Sequence, residues 1–282
     1  MHIAVLIPAA GTGARFGGAQ EGQPVSSKVE VRLAGRPIFM HAIDCFKHCD
    51  HVGQIILAVH PEILERFRVS HGDQLTFLGV ELVAGGTVDR WQTVKRALTY
   101  VEDQVTHMMV HDAARPLADR KLIERLVAAA HQHDAVIPVM PVNATLKRIG
   151  PEYGSAETDS TDPLDAILGD AGRPEVTGRP VVETLDRRDV VEVQTPQIFR
   201  ADLLRRAYAS IEGQAPETVK VTDDAGLVEQ LGETVMTIPG AVNNMKITHP
   251  DDLKLAEAIA ALGEKERAAN EGRRRLFETD DE

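Results

Sequence analysis

The chain has 282 residues, 43% of them hydrophobic and only 4% aromatic, with a formal net charge of −12. This length and apolar content suffice for a sizeable core, built from Val, Ile, Leu and Ala rather than from rings. The acidic balance argues against nonspecific nucleic-acid binding, which needs a basic surface to displace counterions, but leaves room for a local basic pocket that takes a nucleotide.

The first apolar run begins at Ile3 with no basic lead, and no run approaches the roughly 20 apolar residues of a membrane span. Two cysteines, Cys45 and Cys49, are expected as partly buried free thiols about one helical turn apart, because two ligands without nearby partners do not make a zinc site. A soluble, cytoplasmic protein without membrane or nucleic-acid partners is the expectation.

Continuous apolar runs predict strands at residues 3–8, 54–59, 79–83, 107–110 and 135–139. Segments of helical period fall between them at 38–46, 93–100 and 121–130. Uninterrupted apolar strands suit burial on both faces, and their alternation with helices implies a parallel α/β sheet. The pattern breaks at 149–180, where Gly, Pro, Asp, Glu, Ser and Thr dominate; this reads as an irregular, acidic, mobile insertion. Regular structure resumes with a strand at 190–195, a helix at 201–209, a helix capped by Thr222-Asp223-Asp224 and ending near 231, and a strand at 234–238. A last helix opens at Pro250-Asp251-Asp252 and ends near 262. The charge-dense tail, 263–282, is expected to be frayed.

Four stretches carry candidate chemistry. The first is Pro8-Ala9-Ala10-Gly11-Thr12-Gly13-Ala14-Arg15-Phe16-Gly17-Gly18, directly after the first strand. Small residues let the backbone approach a ligand, glycines turn N–H groups toward phosphate oxygens, and Arg15 adds a bidentate clamp. The loop lacks the Lys-Ser/Thr of a Walker loop, and on its own a structural turn explains it too. The second is Lys28, useful only if the chain folds it back over that loop. The third is Val83-Ala84-Gly85-Gly86 with Arg90 and Thr93, readable as a second wall of a nucleotide pocket or as a tight turn with Thr93 capping a helix. The fourth is Val110-His111-Asp112-Ala113-Ala114-Arg115-Pro116. Its carboxylate follows a strand, where open α/β sheets place ligand groups, and Asp suits Mg²⁺ held jointly with substrate phosphates. An Asp–Arg pair that merely fixes the loop reads equally from these residues.

Taken together in this order, these motifs resemble those of the 2-C-methyl-D-erythritol 4-phosphate cytidylyltransferase family. Pro141-Val142-Asn143-Ala144-Thr145-Leu146-Lys147-Arg148 resembles the start of the family's β-arm. Thr184-Leu185-Asp186-Arg187 and Gln194-Thr195-Pro196-Gln197 resemble its return. Val221-Thr222-Asp223-Asp224-Ala225 and the run from Asn244-Met245-Lys246 to Leu253 resemble its C-terminal motifs. The resemblance covers about residues 3 to 260. It implies a Rossmann-like α/β nucleotidyltransferase with a mostly parallel twisted sheet, spanning 1–262, and a protruding β-arm at 141–197 that embraces a second subunit in a homodimer. It implies CTP as donor, Mg²⁺ as cofactor and a sugar-alcohol phosphate as acceptor. By matching position, Arg15, Lys28 and Lys246 would stabilise the transferring phosphate. Ala9, Ala10, Gly11, Thr12, Gly13, Gly86 and Thr93 would hold CTP. Asp112, Arg115, Thr145, Arg187 and Thr195 would surround the acceptor, some of them from the partner subunit, with Asp112 also the metal ligand. The sequence departs from the family at Ser27-Lys28-Val29, where Pro-Lys-Gln is usual, and in its longer arm. Ribitol 5-phosphate cytidylyltransferases are similar over the same segments, and a non-catalytic nucleotide-binding regulator of the same fold is the alternative from another class.

Overall fold

The computed structural model describes residues 1–11, 28–151 and 178–263. Thr12, Gly13, Arg15, most of the predicted insertion and all but the first residue of the predicted tail lie outside the described residues. The chain divides into two units, Met1–Met140 with Val193–Glu282, and Pro141–Glu192.

The first unit is an open α/β sheet. Strand β1 (Ile3–Ala9) lies at its centre, parallel to β4 (Val52–Val59) on one side and to β6 (His107–Val110) on the other. Beyond β4 comes β5 (Val80–Ala84), again parallel, and a separate hairpin of two-residue strands, β2 (Arg32–Leu33) with β3 (Arg36–Pro37), precedes β4 in the chain. On the other side β11 (Gln197–Arg200) runs antiparallel to both β6 and β7 (Ala135–Pro141). β12 (Met236–Pro239) pairs parallel with β7, and β10 (Val191–Val193) carries the chain back into this sheet. Mostly parallel is therefore correct, with β11 running antiparallel to its two neighbours.

Both faces are covered, which explains the uninterrupted apolar strands. Successive side chains of a strand point to opposite faces, and β1 shows it. Ile3, Val5 and Ile7 pack with Phe39 of α1 (Ile38–Asp44), Phe67 of α2 (Leu64–Phe77) and Leu122 and Leu126 of α4 (Arg120–Ala130). Ala4 and Leu6 pack on the other side with Trp91 and Val94 of α3 (Arg90–Leu98), Leu203 and Leu204 of α5 (Ala201–Ala209), and Leu227 of α6 (Asp224–Gln230). A final helix, α7, occupies 250–263.

The strand and helix predictions hold with shifts at their ends. Three corrections apply. Helix α2 and strands β2, β3 and β11 are additional elements. Helix α3 begins at Arg90, not Thr93, because Asp89 is its N-cap and the Gln92 side chain accepts from the Asp89 N–H at 3.4 Å. Helix α6 is capped by Asp223, which accepts from the Gly226 N–H at 3.1 Å, rather than by Thr222. The cysteines are free, as expected.

The second unit contains an antiparallel hairpin, β8 (Leu146–Ile149) with β9 (Val181–Leu185), in the register Leu146↔Leu185 to Ile149↔Val181. It carries several exposed apolar side chains: Ile149 at 46%, Val181 at 60% and Val182 at 63%.

Candidate active site

The carboxyl ends of β1, β5 and β6 open onto one cleft of about 380 Å³, within the range of small-molecule sites. Its walls include Ala9, Ala10, Gly11, Lys28, Gly86, Arg90, Thr93, Asp112, Lys246 and Thr248.

Each wall has a local cause. At the end of β5 the chain must pass close to the β1 loop. A Cβ on Gly85 would lie 2.7 Å from Thr93 Cγ2 and 3.0 Å from Ala10 Cβ, and one on Gly86 2.6 Å from Gln92 Cβ, so only glycines permit this approach. The Gly86 N–H donates to the Thr93 hydroxyl at 3.0 Å, closing the turn. Thr93 is 2% exposed, so its hydroxyl shapes the pocket before it can serve a ligand. Lys28 opens a single 3₁₀ turn, Lys28–Glu30, pinned by buried Val29 and by Glu30, which pairs with Arg66 of α2 at 2.5 Å. That packing brings Lys28 onto the same cleft as the β1 loop.

Asp112 follows β6 and is buried, with one cation on each oxygen. Arg90 Nε donates to Oδ1 at 2.8 Å and Lys246 Nζ to Oδ2 at 2.6 Å. Burial raises the carboxyl's pKa, but Arg90 and Lys246 outweigh it and hold the group well below the usual carboxylate range. The Arg90 guanidinium also bonds Asp224 Oδ2 through Nη1 at 2.7 Å, and the Tyr208 hydroxyl donates to Asp224 Oδ1 at 2.6 Å. Burial works against the charge on Arg90, yet Asp224 and Asp112 raise its pKa further.

The backbone beneath Asp112 is fixed by a second network. The Asp112 N–H donates to Thr195 Oγ1 at 3.0 Å, and that hydroxyl lies 3.2 Å from His111 Nδ1. His111 Nε2 lies 2.9 Å from the Arg115 carbonyl. The network assigns the proton to Nε2, with the Thr195 hydroxyl donating to Nδ1. Burial pushes the His111 pKa down to about 4, consistent with a neutral ring. Arg115 donates through Nη1 to the Asn244 carbonyl at 2.7 Å and through Nη2 to the Val193 carbonyl at 3.2 Å. The Ile247 N–H donates to the Ala114 carbonyl at 2.8 Å. These bonds clamp the 244–248 segment on both sides of Lys246 and so deliver its ammonium to Asp112.

The structure thus gathers Ala9, Ala10, Gly11, Lys28, Gly86, Thr93, Asp112 and Lys246 on one cleft. Arg115 and Thr195 are buried behind it, 6% and 5% exposed, where they fix loops. Thr145 and Arg187 sit exposed in the second unit, where Arg187 bonds the Asn143 carbonyl. Sequence reading placed Arg90 on the wall but gave it no partner. The Arg90–Asp224 pair spans 134 residues, and no local pattern announces it. Among the described residues there is no cluster of three His, Cys, Asp or Glu side chains that would hold a metal by itself.

Such a sheet, with a cation-lined cleft at its strand ends, has the open α/β arrangement that places ligand groups beyond the carboxyl ends of its strands. The model of the 2-C-methyl-D-erythritol 4-phosphate cytidylyltransferase (IspD) family matches residues 3–169 and 164–261. A 2-C-methyl-D-erythritol 4-phosphate cytidylyltransferase of Frankia casuarinae is 38% identical over 261 residues, covering 92% of this chain and 82% of its own. That of Rhodococcus jostii is 38% identical over 262 residues, covering 93% and 96%. The crystal structure of the enzyme from Thermus thermophilus, 29% identical, superposes with a TM-score of 0.65 over 93% of this chain and all of its own. The chain belongs to the 2-C-methyl-D-erythritol 4-phosphate cytidylyltransferase family.

Proposed function

We propose that the chain transfers a cytidylyl group from CTP to 2-C-methyl-D-erythritol 4-phosphate, yielding 4-diphosphocytidyl-2-C-methyl-D-erythritol and pyrophosphate for isoprenoid precursor synthesis. The observation that carries the reading is the convergence of Lys28, Asp112 and Lys246 on one cleft at the strand ends. CTP lies along Ala9–Gly11 and the Gly86–Thr93 turn. An acceptor phosphate oxygen attacks the α-phosphorus, the bond to the β-phosphate breaks, and pyrophosphate leaves. The acceptor phosphate is ionised near neutral pH, so the chain supplies position and charge rather than a strong base or a covalent intermediate. Lys28 and Lys246, with Arg15 by sequence match, take up the charge that builds on the α-phosphate. Asp112 orients the acceptor, and Arg115 and Thr195 hold the loops that present it.

Hard oxygen donors suit Mg²⁺, and a cleft carboxylate without a metal-ligand cluster among the described residues suits an ion carried in by the nucleotide. Mg²⁺ would be held by the CTP phosphates with Asp112 as its protein ligand, and would neutralise triphosphate charge. The exposed valines of the β8–β9 hairpin support its use as an arm that docks on a second subunit and carries Thr145 and Arg187 to that subunit's acceptor site. Two free, half-buried thiols suit the reducing cytoplasm. The test is pyrophosphate release from CTP and Mg²⁺ with methylerythritol phosphate, ribitol 5-phosphate or no acceptor. Turnover with the first well above the others is expected. A preference for the pentitol phosphate would move the acceptor, and no release with either would overturn the reading.

A further inference from the structure

We propose that Arg90 is a positioning residue for the transfer: it is the counter-ion that keeps Asp112 in place when Lys246 leaves that carboxylate for the nucleotide's phosphate. The inference rests on the functional reading above and extends it to a residue that touches neither reacting group.

Lys246 spends its ammonium on Asp112 at 2.6 Å, yet its side chain is 42% exposed and lines the cleft. Reaching a phosphate means breaking that bond. Asp112 has only 11% of its side chain exposed, so if Lys246 were its sole cation, losing it would strand a buried charge, a strongly unfavourable state. Arg90 removes that obstacle because it holds the other oxygen independently. Its guanidinium is itself fixed from behind. Nε takes Asp112, Nη1 takes Asp224, and Asp224 is fully buried with its second oxygen on the Tyr208 hydroxyl. Nη2 is buried without a hydrogen-bond partner among the described residues, so these two carboxylates set the orientation of the group. The planar fork of arginine can satisfy both at fixed angles, which a lysine point charge cannot. Arg90 also opens α3 directly after the Gly85-Gly86 turn, so the pair ties the nucleotide wall to the acceptor wall. The bond to Asp112 leaves room for Lys246 to change partners without Asp112 following it.

The experiment compares kcat and KM for CTP in the wild type, Arg90→Gln, Arg90→Lys and the double variant Arg90→Gln/Asp224→Asn, with thermal melts of each. Arg90→Gln leaves Asp224 buried and unpaired and can fail to fold. The double variant removes that charge and isolates the role at Asp112. A melt close to wild type, an unchanged KM for CTP and a kcat lower by roughly tenfold to hundredfold are expected for the double variant, the range typical of groups that orient an active-site ligand. Arg90→Lys keeps the charge and should fold, with kcat lower by a smaller factor. A double variant with wild-type kcat would reduce Arg90 to a partner of Asp224 and overturn the proposal, as would a fully active Arg90→Lys. A loss confined to KM would make Arg90 a direct nucleotide contact instead. A wild-type chain inert with CTP and every acceptor would overturn the functional reading itself, and this proposal with it.

Discussion

The cleft and the hairpin place polar side chains by opposite means. Around Asp112, the charges of Arg90, Asp224 and Lys246 and a chain of hydrogen bonds through Thr195, His111 and Arg115 hold the carboxylate and its loop from within the fold. In the β8–β9 hairpin, Lys147 bonds Thr184 and Arg148 pairs with Glu183 at 2.5 Å, all of them exposed, while valines face solvent. Exposed pairs of this kind contribute little, about 0–1 kcal/mol. The cleft is preorganised by its own core, whereas Arg187 and Thr145 are exposed beside the hairpin.

The contrast predicts where substitutions act. Lys246→Ala should lower kcat by roughly 10²–10³-fold, the usual cost of a lost charge-stabilising donor, while melting close to wild type because the side chain is half exposed. Steady-state kinetics with a thermal melt check both halves, and a wild-type kcat would show that the cleft's cations are not used in the transfer.

Arg187 supplies the next test. Arg187→Ala and Asp112→Ala should each be inactive, but after subunit exchange a mixture should recover part of the wild-type activity, because each heterodimer rebuilds one intact site. No recovery, with exchange proven, would return Arg187 to its own chain's site.

Stability effects come third. Thr195→Val removes the acceptor of the buried Asp112 N–H and should cost about 1–3 kcal/mol in urea unfolding. His111 gives a pH signature in metal-free buffer. Its folded pKa of about 4 lies below the ordinary 6.5, so the unfolded chain binds the extra proton. Its contribution is therefore complete above about pH 6.5 and falls as pH drops toward 4, by roughly 3 kcal/mol at most. His111→Asn should flatten that slope. The smallest effect belongs to the hairpin. Val181→Ser with Val182→Ser should change the stability of the isolated subunit by no more than about 0.5 kcal/mol per site, while weakening self-association in sedimentation. Unchanged association would remove the hairpin from the interface.

The strands of the parallel sheet were legible because burial on both faces leaves continuous apolar runs. Helix α2 was not, since among its 14 residues only Phe67 and Leu75 are fully buried, too few to print a helical period. Strand β11 is four residues long and follows Pro196, so its antiparallel insertion has no local signature. The small residues at 9–11, Gly86 and the strand-end Asp112 line one cleft. Arg115 and Thr195 came from the same motifs but turn inward, because motif spacing does not say which way a loop side chain points. The fixing pair that the sequence allowed between Asp112 and Arg115 is divided in the structure. Asp112 pairs with Arg90 and Lys246, and Arg115 clamps backbone carbonyls. Those partners are remote in sequence, and only the assembled sheet brings them together.

If the Asp112–Lys246 end of the sheet performs a CTP-dependent transfer to methylerythritol phosphate, its two products form together and depend on Lys246. The most direct measurement follows pyrophosphate and the nucleotide product together, by phosphorus NMR, from purified protein with CTP, Mg²⁺ and that acceptor, beside the Lys246→Ala variant. Equal amounts of pyrophosphate and a cytidine diphosphate ester are expected from the wild type, and a rate lower by roughly 10²-fold or more from the variant. Pyrophosphate without the ester, or equal rates from both proteins, would contradict it.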